Sequence, residues 1–145
     1  MFIGEYSHTL DNKSRLIVPA RFREELGMRF VMTKGMDSAL FLYPMKEWEI
    51  IEGKLRNLSL TNREARAFVR MFFSGAAECE VDRQGRILVP QNLVDHAGLV
   101  RDAVVIGVLN RVEVWARERW EKYSSSQEMD YDQLADKLSV LDLNI

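Results

Sequence analysis

Two stretches of this chain, LDNKSRLIVP at residues 10–19 and VDRQGRILVP at residues 81–90, are nearly the same sentence written twice. Sliding the chain against itself by 71 positions also aligns Gly4 with Gly75 and Gly27 with Gly98, around the central matches of Asp11 with Asp82, Arg15 with Arg86 and Pro19 with Pro90. A one-residue slip then brings Gly35 to Gly107, Leu42 to Val114, Tyr43 to Trp115 and Trp48 to Trp120. The correspondence covers about 45 residues of each half and includes the glycines, prolines and tryptophans that substitute least freely. A duplicated module is the simplest source of such a pattern.

Each half carries the same order of expected elements. Short strands are expected around Glu5 to Leu10 and Glu78 to Val81, and the apolar runs Leu16 to Val18 and Ile87 to Val89 suit buried strands. A tight polar turn, Asp11 to Arg15 or Asp82 to Arg86, joins them, so each half is expected to open with a hairpin. Pro19 and Pro90 suit the first turn of a short helix, and Gly27 and Gly98 suit its end. Two further strands follow: Arg29 to Thr33 with Ala39 to Tyr43, and Ala103 to Val108 with Arg111 to Trp115.

Helices connect and finish these β-β-α-β-β halves. One begins at Pro44 with an apolar stripe of Trp48, Ile51 and Leu55. Another begins at Thr61, where Thr61-Asn62-Arg63-Glu64 has the form of a capping box, and Phe68, Phe72 and Phe73 line one face. A break at Ser124 to Gln127 precedes an acidic helix, Tyr131 to Leu141, whose Leu134, Leu138 and Leu141 suit docking on the body or on a neighbouring subunit. Four short strands cannot cover both faces and edges of a sheet alone, so the two halves are expected to interlock about a pseudo-twofold axis. The domain division that follows is 1–56, a first half with its helix; 57–74, a connecting helix; 75–126, the second half with its helix; and 127–145, an acidic tail.

Composition narrows the function classes. The chain of 145 residues has an apolar fraction of 47% and can bury a core. No run reaches the length of a membrane span and the first residues lack a signal-peptide pattern, which leads to the expectation of a cytoplasmic protein. Cys79, the only cysteine, reads as a small packed hydrophobe. The net charge of −2 is no mark of a nucleic-acid binder, but the charge is uneven: from Arg119 onward there are three basic and six acidic residues, leaving the body slightly positive. His8 and His96 show no metal-ligand spacing with each other or with Cys79, and no phosphate loop or nucleophile elbow is present. No catalytic residue, metal or cofactor is expected.

The chemistry concentrates in the Asp-x-x-x-Arg turns. In the plainer reading Asp caps its own turn and pairs with Arg, locking the hairpin, and the chain serves protein interaction through its aromatic helix faces. In the sharper reading Arg15 and Arg86, with Lys13 and Arg83 in the same loops, form a two-fold-related basic surface, because guanidinium forks suit phosphate and guanine edges. The duplicated turns, each followed by an apolar run and Pro, resemble the MraZ family of bacterial transcriptional regulators over essentially the whole chain. That resemblance implies an α+β fold of two AbrB-like swapped-hairpin halves forming a small β-barrel with flanking helices. It also implies a nucleoid-associated DNA-binding protein, assembled as a ring-shaped homo-oligomer with an octamer as the expected size. Such a protein binds short repeats in double-stranded DNA upstream of the operon for cell division and cell-wall synthesis, with repression the expected effect. Carried across, the motif makes Arg15 and Arg86 DNA contacts and Asp11 and Asp82 turn-setting residues. Lys13 and Arg83 are further expected contacts; they align with Gln84 and Asn12, so the two loops are not expected to read DNA identically.

Overall fold

The computed structural model describes residues 1–143. Its elements, in chain order, are β1 (Glu5–Thr9), β2 (Arg15–Ile17), α1 (Ala20–Leu26), β3 (Arg29–Lys34), β4 (Leu40–Pro44), α2 (Met45–Arg56) and α3 (Arg63–Ser74). The second half supplies β5 (Ala77–Glu80), β6 (Arg86–Leu88), α4 (Gln91–Ala97), β7 (Asp102–Val108), β8 (Arg111–Ala116) and α5 (Arg117–Ser124). A 3-10 turn (Gln127–Met129), α6 (Tyr131–Lys137) and a second 3-10 turn (Leu138–Leu141) finish the described chain. This is the α+β fold anticipated from the repeat.

The strands form an antiparallel six-stranded sheet in the order β1-β7-β8-β4-β3-β5 and a separate two-stranded ribbon, β2-β6. Exchanging the halves maps this order onto itself, so the pseudo-twofold axis runs between β4 and β8 and through the ribbon. There Leu16 pairs with Ile87, its own repeat equivalent. Neither opening segment forms a regular hairpin with itself: β1 and β2 share a single bridge, Leu10 to Leu16, and their ladders lie in the other half. The expected hairpins are thus swapped. Pairing across halves covers the edges of β3, β4, β7 and β8 that two isolated modules would expose, and leaves β1 and β5 as the outer strands.

Structure also corrects the alignment past the first helices. Pairing of Glu80 with Arg29 and of Thr9 with Asp102 makes Arg29 the equivalent of Asp102, so the link after Gly98 is two residues longer than that after Gly27. The turn between Gly107 and Val112 is then one residue shorter than that between Lys34 and Leu40. Gly107 therefore lies within β7, opposite Val112, and is not the counterpart of Gly35.

Alternation explains how one sheet serves two cores. Phe30, Met32, Leu40, Leu42, Val105 and Val112 face the inner cluster with Leu16, Ile87, Phe22 and Leu93. Phe41, Tyr43, Val104, Ile106 and Trp115 point the other way, where Trp48, Ile51 and Leu55 of α2, Phe72 and Phe73 of α3, and Trp120 of α5 cover them. Strands buried on both faces need continuous apolar runs, as β4 and β7 have. Most of the aromatic helix faces are core, although Phe68 and Met71 stay exposed.

Local signals hold with small shifts. Pro19 and Pro90 sit at the N-cap, one residue before the short helices, and their carbonyls accept from Phe22 and Arg23 and from Leu93 and Val94. Asn62, not Thr61, caps α3, its side chain accepting from the Ala65 N–H at 2.9 Å. Thr61 is diverted to the Ser59 hydroxyl. The acidic terminal helix tightens into a 3-10 turn after Lys137. No helix among the described residues is long and apolar enough to cross a membrane.

Candidate nucleic-acid interface

The two motif turns are built alike, bond for bond. In the first, Asp11 Oδ1 accepts from the Lys13 and Arg15 backbone N–H groups at 2.9 Å each, while Oδ2 accepts from Arg15 Nε at 2.8 Å. In the second, Asp82 Oδ1 accepts from the Gln84 and Arg86 N–H groups, and Oδ2 from Arg86 Nε, all at 2.9 Å. The Asp11 carbonyl also receives the Ser14 N–H, and the Asp82 carbonyl the Gly85 N–H, at 3.0 Å. One carboxylate organises the whole loop and holds its own arginine, an Asx-turn extended by a salt bridge.

That work shows in the acidity of both carboxyls. The Arg15 backbone N–H, aided by its side chain and the Lys13 N–H, holds the Asp11 carboxyl below the usual 3.8 against an opposing desolvation effect. Asp82 is held below 3.8 in the same way by the Arg86 N–H, its side chain and the Gln84 N–H. The carboxylates stay charged wherever the fold exists near neutral pH.

The ribbon brings the turns together. Val18 N–H donates to the Gly85 carbonyl and Val89 N–H to the Ser14 carbonyl, so each turn is fastened to the strand leaving the other. Arg86 Nη1 consequently lies 3.9 Å from Asp11 Oδ2, and the Asp11 carboxylate is shared between the two arginines. The side chains of Arg15 and Arg86 remain 32% and 25% exposed. Their charge is largely balanced by aspartate, but clamping Nε fixes the guanidinium plane, which leaves an oriented fork. Lys13 and Arg83 are exposed at the loop tips, and among the described residues no carboxylate pairs with them. They supply uncompensated positive charge beside the forks.

Two cations escaped sequence reasoning. Arg23 of α1 lies over Gly85: a Cβ there would stand only 2.9 Å from its Cζ. Its equivalent at the first turn is Val94. Arg101 lines, with Val94, Leu99 and the loop from Asp11 to Arg15, an open cleft of about 690 Å³ beside the first turn. Neither shares a motif with the loops, so only the crossing of the halves reveals that they are neighbours.

Glu113, the one buried charged residue of the described chain, has a structural account. Arg111 donates to its Oε2 at 2.8 Å and Trp115 Nε1 to its Oε1 at 3.0 Å, so both oxygens are satisfied, as burial requires. Arg111 also covers the Phe41 ring at 4.3 Å. His96 bonds the Gly35 carbonyl, and burial pushes the Cys79 thiol up to about 11, so it is held as an unreactive packed thiol.

Comparison with known proteins agrees with the doubled architecture. A family model described as "MraZ protein, putative antitoxin-like" matches twice, over residues 1–71 and 72–141. The chain is similar to the Transcriptional regulator MraZ of Moorella thermoacetica, 58% identical over 143 residues that cover 99% of this chain and 100% of that protein. It is similarly close to the proteins of that name from Clostridium tetani, at 56%, and Clostridium botulinum, at 57%, each over 141 residues covering 97% of this chain and 99% of the relative. Two matched modules and near-complete coverage at these identities place the chain in the MraZ family.

Proposed function

We propose that this protein is a sequence-specific DNA-binding transcriptional regulator whose reading element is the pair of Asp-x-x-x-Arg turns at the ribbon. The observation that carries the reading is the convergence of two carboxylate-clamped guanidinium forks, Arg15 and Arg86, flanked by Lys13 and Arg83, with which no carboxylate among the described residues pairs. Arginine forks held in one plane make bidentate contacts with phosphate or with guanine, and the aspartates set that plane without touching DNA. Lysine and arginine at the tips contribute phosphate attraction, which positions the loops.

Its target is a set of short repeats upstream of the division and cell-wall operon, and the expected effect there is repression. A ring-shaped homo-oligomer, an octamer in the form the family resemblance implies, places several turn pairs along one duplex. Avidity then makes up for the small net charge of −2. The names of the relatives support transcription regulation as the general role.

Fluorescence anisotropy on duplex DNA from upstream of the protein's own gene, at two salt concentrations, tests this. Wild type should bind tightly with a steep salt dependence, and Arg15→Ala/Arg86→Ala should lose binding while keeping fold and assembly. Equal binding to scrambled DNA by wild type would refute sequence-specific reading and return the turns to a structural role.

A further inference from the structure

The outward face of the β2–β6 ribbon carries more than its two arginines. Alternate residues of a strand share a face, so Arg15 stands beside Ile17 on β2 and Arg86 beside Leu88 on β6. Leu16 and Ile87 between them turn into the core and are each 1% exposed. The antiparallel register sets Arg15 opposite Leu88 and Ile17 opposite Arg86. These four side chains form a checkerboard of guanidinium and aliphatic groups centred on the pseudo-twofold axis. Ile17 is 42% and Leu88 62% exposed. A lone aliphatic on a surface is ordinary, but here both repeats place one at the same position, across the ribbon from the clamped arginine of the other repeat.

The surroundings of the patch select its occupant. Arg15 and Arg86 lie within it, and the exposed Lys13 and Arg83 flank it in the adjoining turns. A second copy of the ribbon would set like charges against each other, whereas a polyanion meets all four cations. The major groove of duplex DNA is about 12 Å wide and admits a two-stranded ribbon, and its floor carries one kind of aliphatic group, the thymine methyl. Residues two apart on a strand are separated by about 6.6 Å and base pairs by about 3.4 Å. A side chain at position 17 or 88 therefore reaches bases within about two steps of those that the arginine of its own strand reaches.

We infer that Ile17 and Leu88 are specificity-determining residues that pack on thymine methyl groups beside the bases engaged by Arg15 and Arg86. The inference rests on the proposed DNA-reading role of the turns and deepens it. Arginine forks alone accept any suitably placed guanine or phosphate; an aliphatic neighbour adds the demand for a methyl group nearby.

Replacing every thymine of the upstream duplex by deoxyuridine removes the methyl groups and keeps all Watson–Crick pairs. In fluorescence anisotropy wild type should lose roughly fourfold in affinity for each methyl that it covers. That comparison needs no variant. Ile17→Ser/Leu88→Ser should bind the thymine duplex more weakly by the same factor, with an unchanged salt slope because no phosphate contact is lost, and should not distinguish thymine from deoxyuridine. Equal wild-type affinity for the two duplexes would overturn the inference, while the arginine reading would stand on its salt slope and its preference over scrambled DNA. A deoxyuridine penalty that persists in the double variant would overturn it as well, by placing the methyl contact elsewhere. Wild-type indifference between upstream and scrambled DNA would overturn both.

Discussion

The first and second motif turns share every backbone bond and differ in almost everything around them. At the position before the arginine, Ser14 holds φ 60° while Gly85 holds φ 80°. Left-handed backbone is unfavourable for serine and natural for glycine, so one conformation is kept in two turns at unequal cost. Above the second turn lies the Arg23 guanidinium; beside the first lies an open cleft edged by Val94 and Arg101. Duplication preserved the device that orients the arginine, and the surface presented around it diverged. A pseudo-symmetric protein of this kind has two reading heads of one geometry and two chemistries.

The strongest way to break the comparison is beneath the turns. Phe22 and Leu93 are equivalent core residues of α1 and α4, 1% and 0% exposed, and Phe22 makes edge-on contacts with Phe2 and Tyr6. Phe22→Ala should cost about 3–5 kcal/mol and Leu93→Ala about 2–5 kcal/mol, read by urea unfolding. Because the halves interlock, each should lower a single cooperative transition; two separate transitions would mean that the halves are independent.

Next in size are paired substitutions at the left-handed position, which should have opposite signs. Gly85→Ala introduces the unfavourable conformation and displaces Arg23, and should destabilise by about 1–2 kcal/mol. Ser14→Gly relieves it and should stabilise by about 0.5–1 kcal/mol after the entropy of the unfolded glycine is subtracted. Equal effects in thermal melts would show that the turns are not the same device.

A smaller effect sharpens the chemical difference. If the second head touches a phosphate through Arg23, Arg23→Ala should reduce the slope of log affinity against log salt by about 0.9, the share of one phosphate contact. The slope should not change for a neutral replacement of Val94, its counterpart. Salt titration of DNA binding by the two variants decides the matter.

Acid should treat both turns alike. Both aspartate pKa values are lowered by folding, so their stabilising contribution is complete above 3.8 and is lost as pH falls through the depressed folded values. Carboxyl chemical shifts of Asp11 and Asp82 followed by NMR should both have midpoints below 3.8. A midpoint at 3.8 for either would mean that its turn is open in solution.

Local features of this fold are legible residue by residue: Pro19 and Pro90 ahead of short helices, Gly27 and Gly98 at their ends, and Trp48, Ile51 and Leu55 on a covered face. The turns were legible too, because an aspartate four residues before an arginine can satisfy the loop without help from elsewhere. Partnering was not. Which strand β1 bonds to depends on residues about a hundred positions away, and no local period records that. Glu113, flanked by Val112 and Val114, reads as a solvent-facing residue of an ordinary strand; its burial depends on Arg111 and Trp115 turning to meet it. Arg23 was hidden for the same reason, since its neighbour Gly85 belongs to the other half.

The interlocked ladders set a schedule for the growing polypeptide. As the chain leaves the ribosome, β1 emerges first and its bonding partner β7 almost last, while β3 lacks a neighbour on one side until β5 appears. The amino-terminal module therefore spends most of synthesis with open strand edges, and a truncated product ending before Asp102 exposes the whole edge that β7 would have covered. Quality control in the cell receives from this protein a simple signal: either all of the sheet is present, or a sticky edge is.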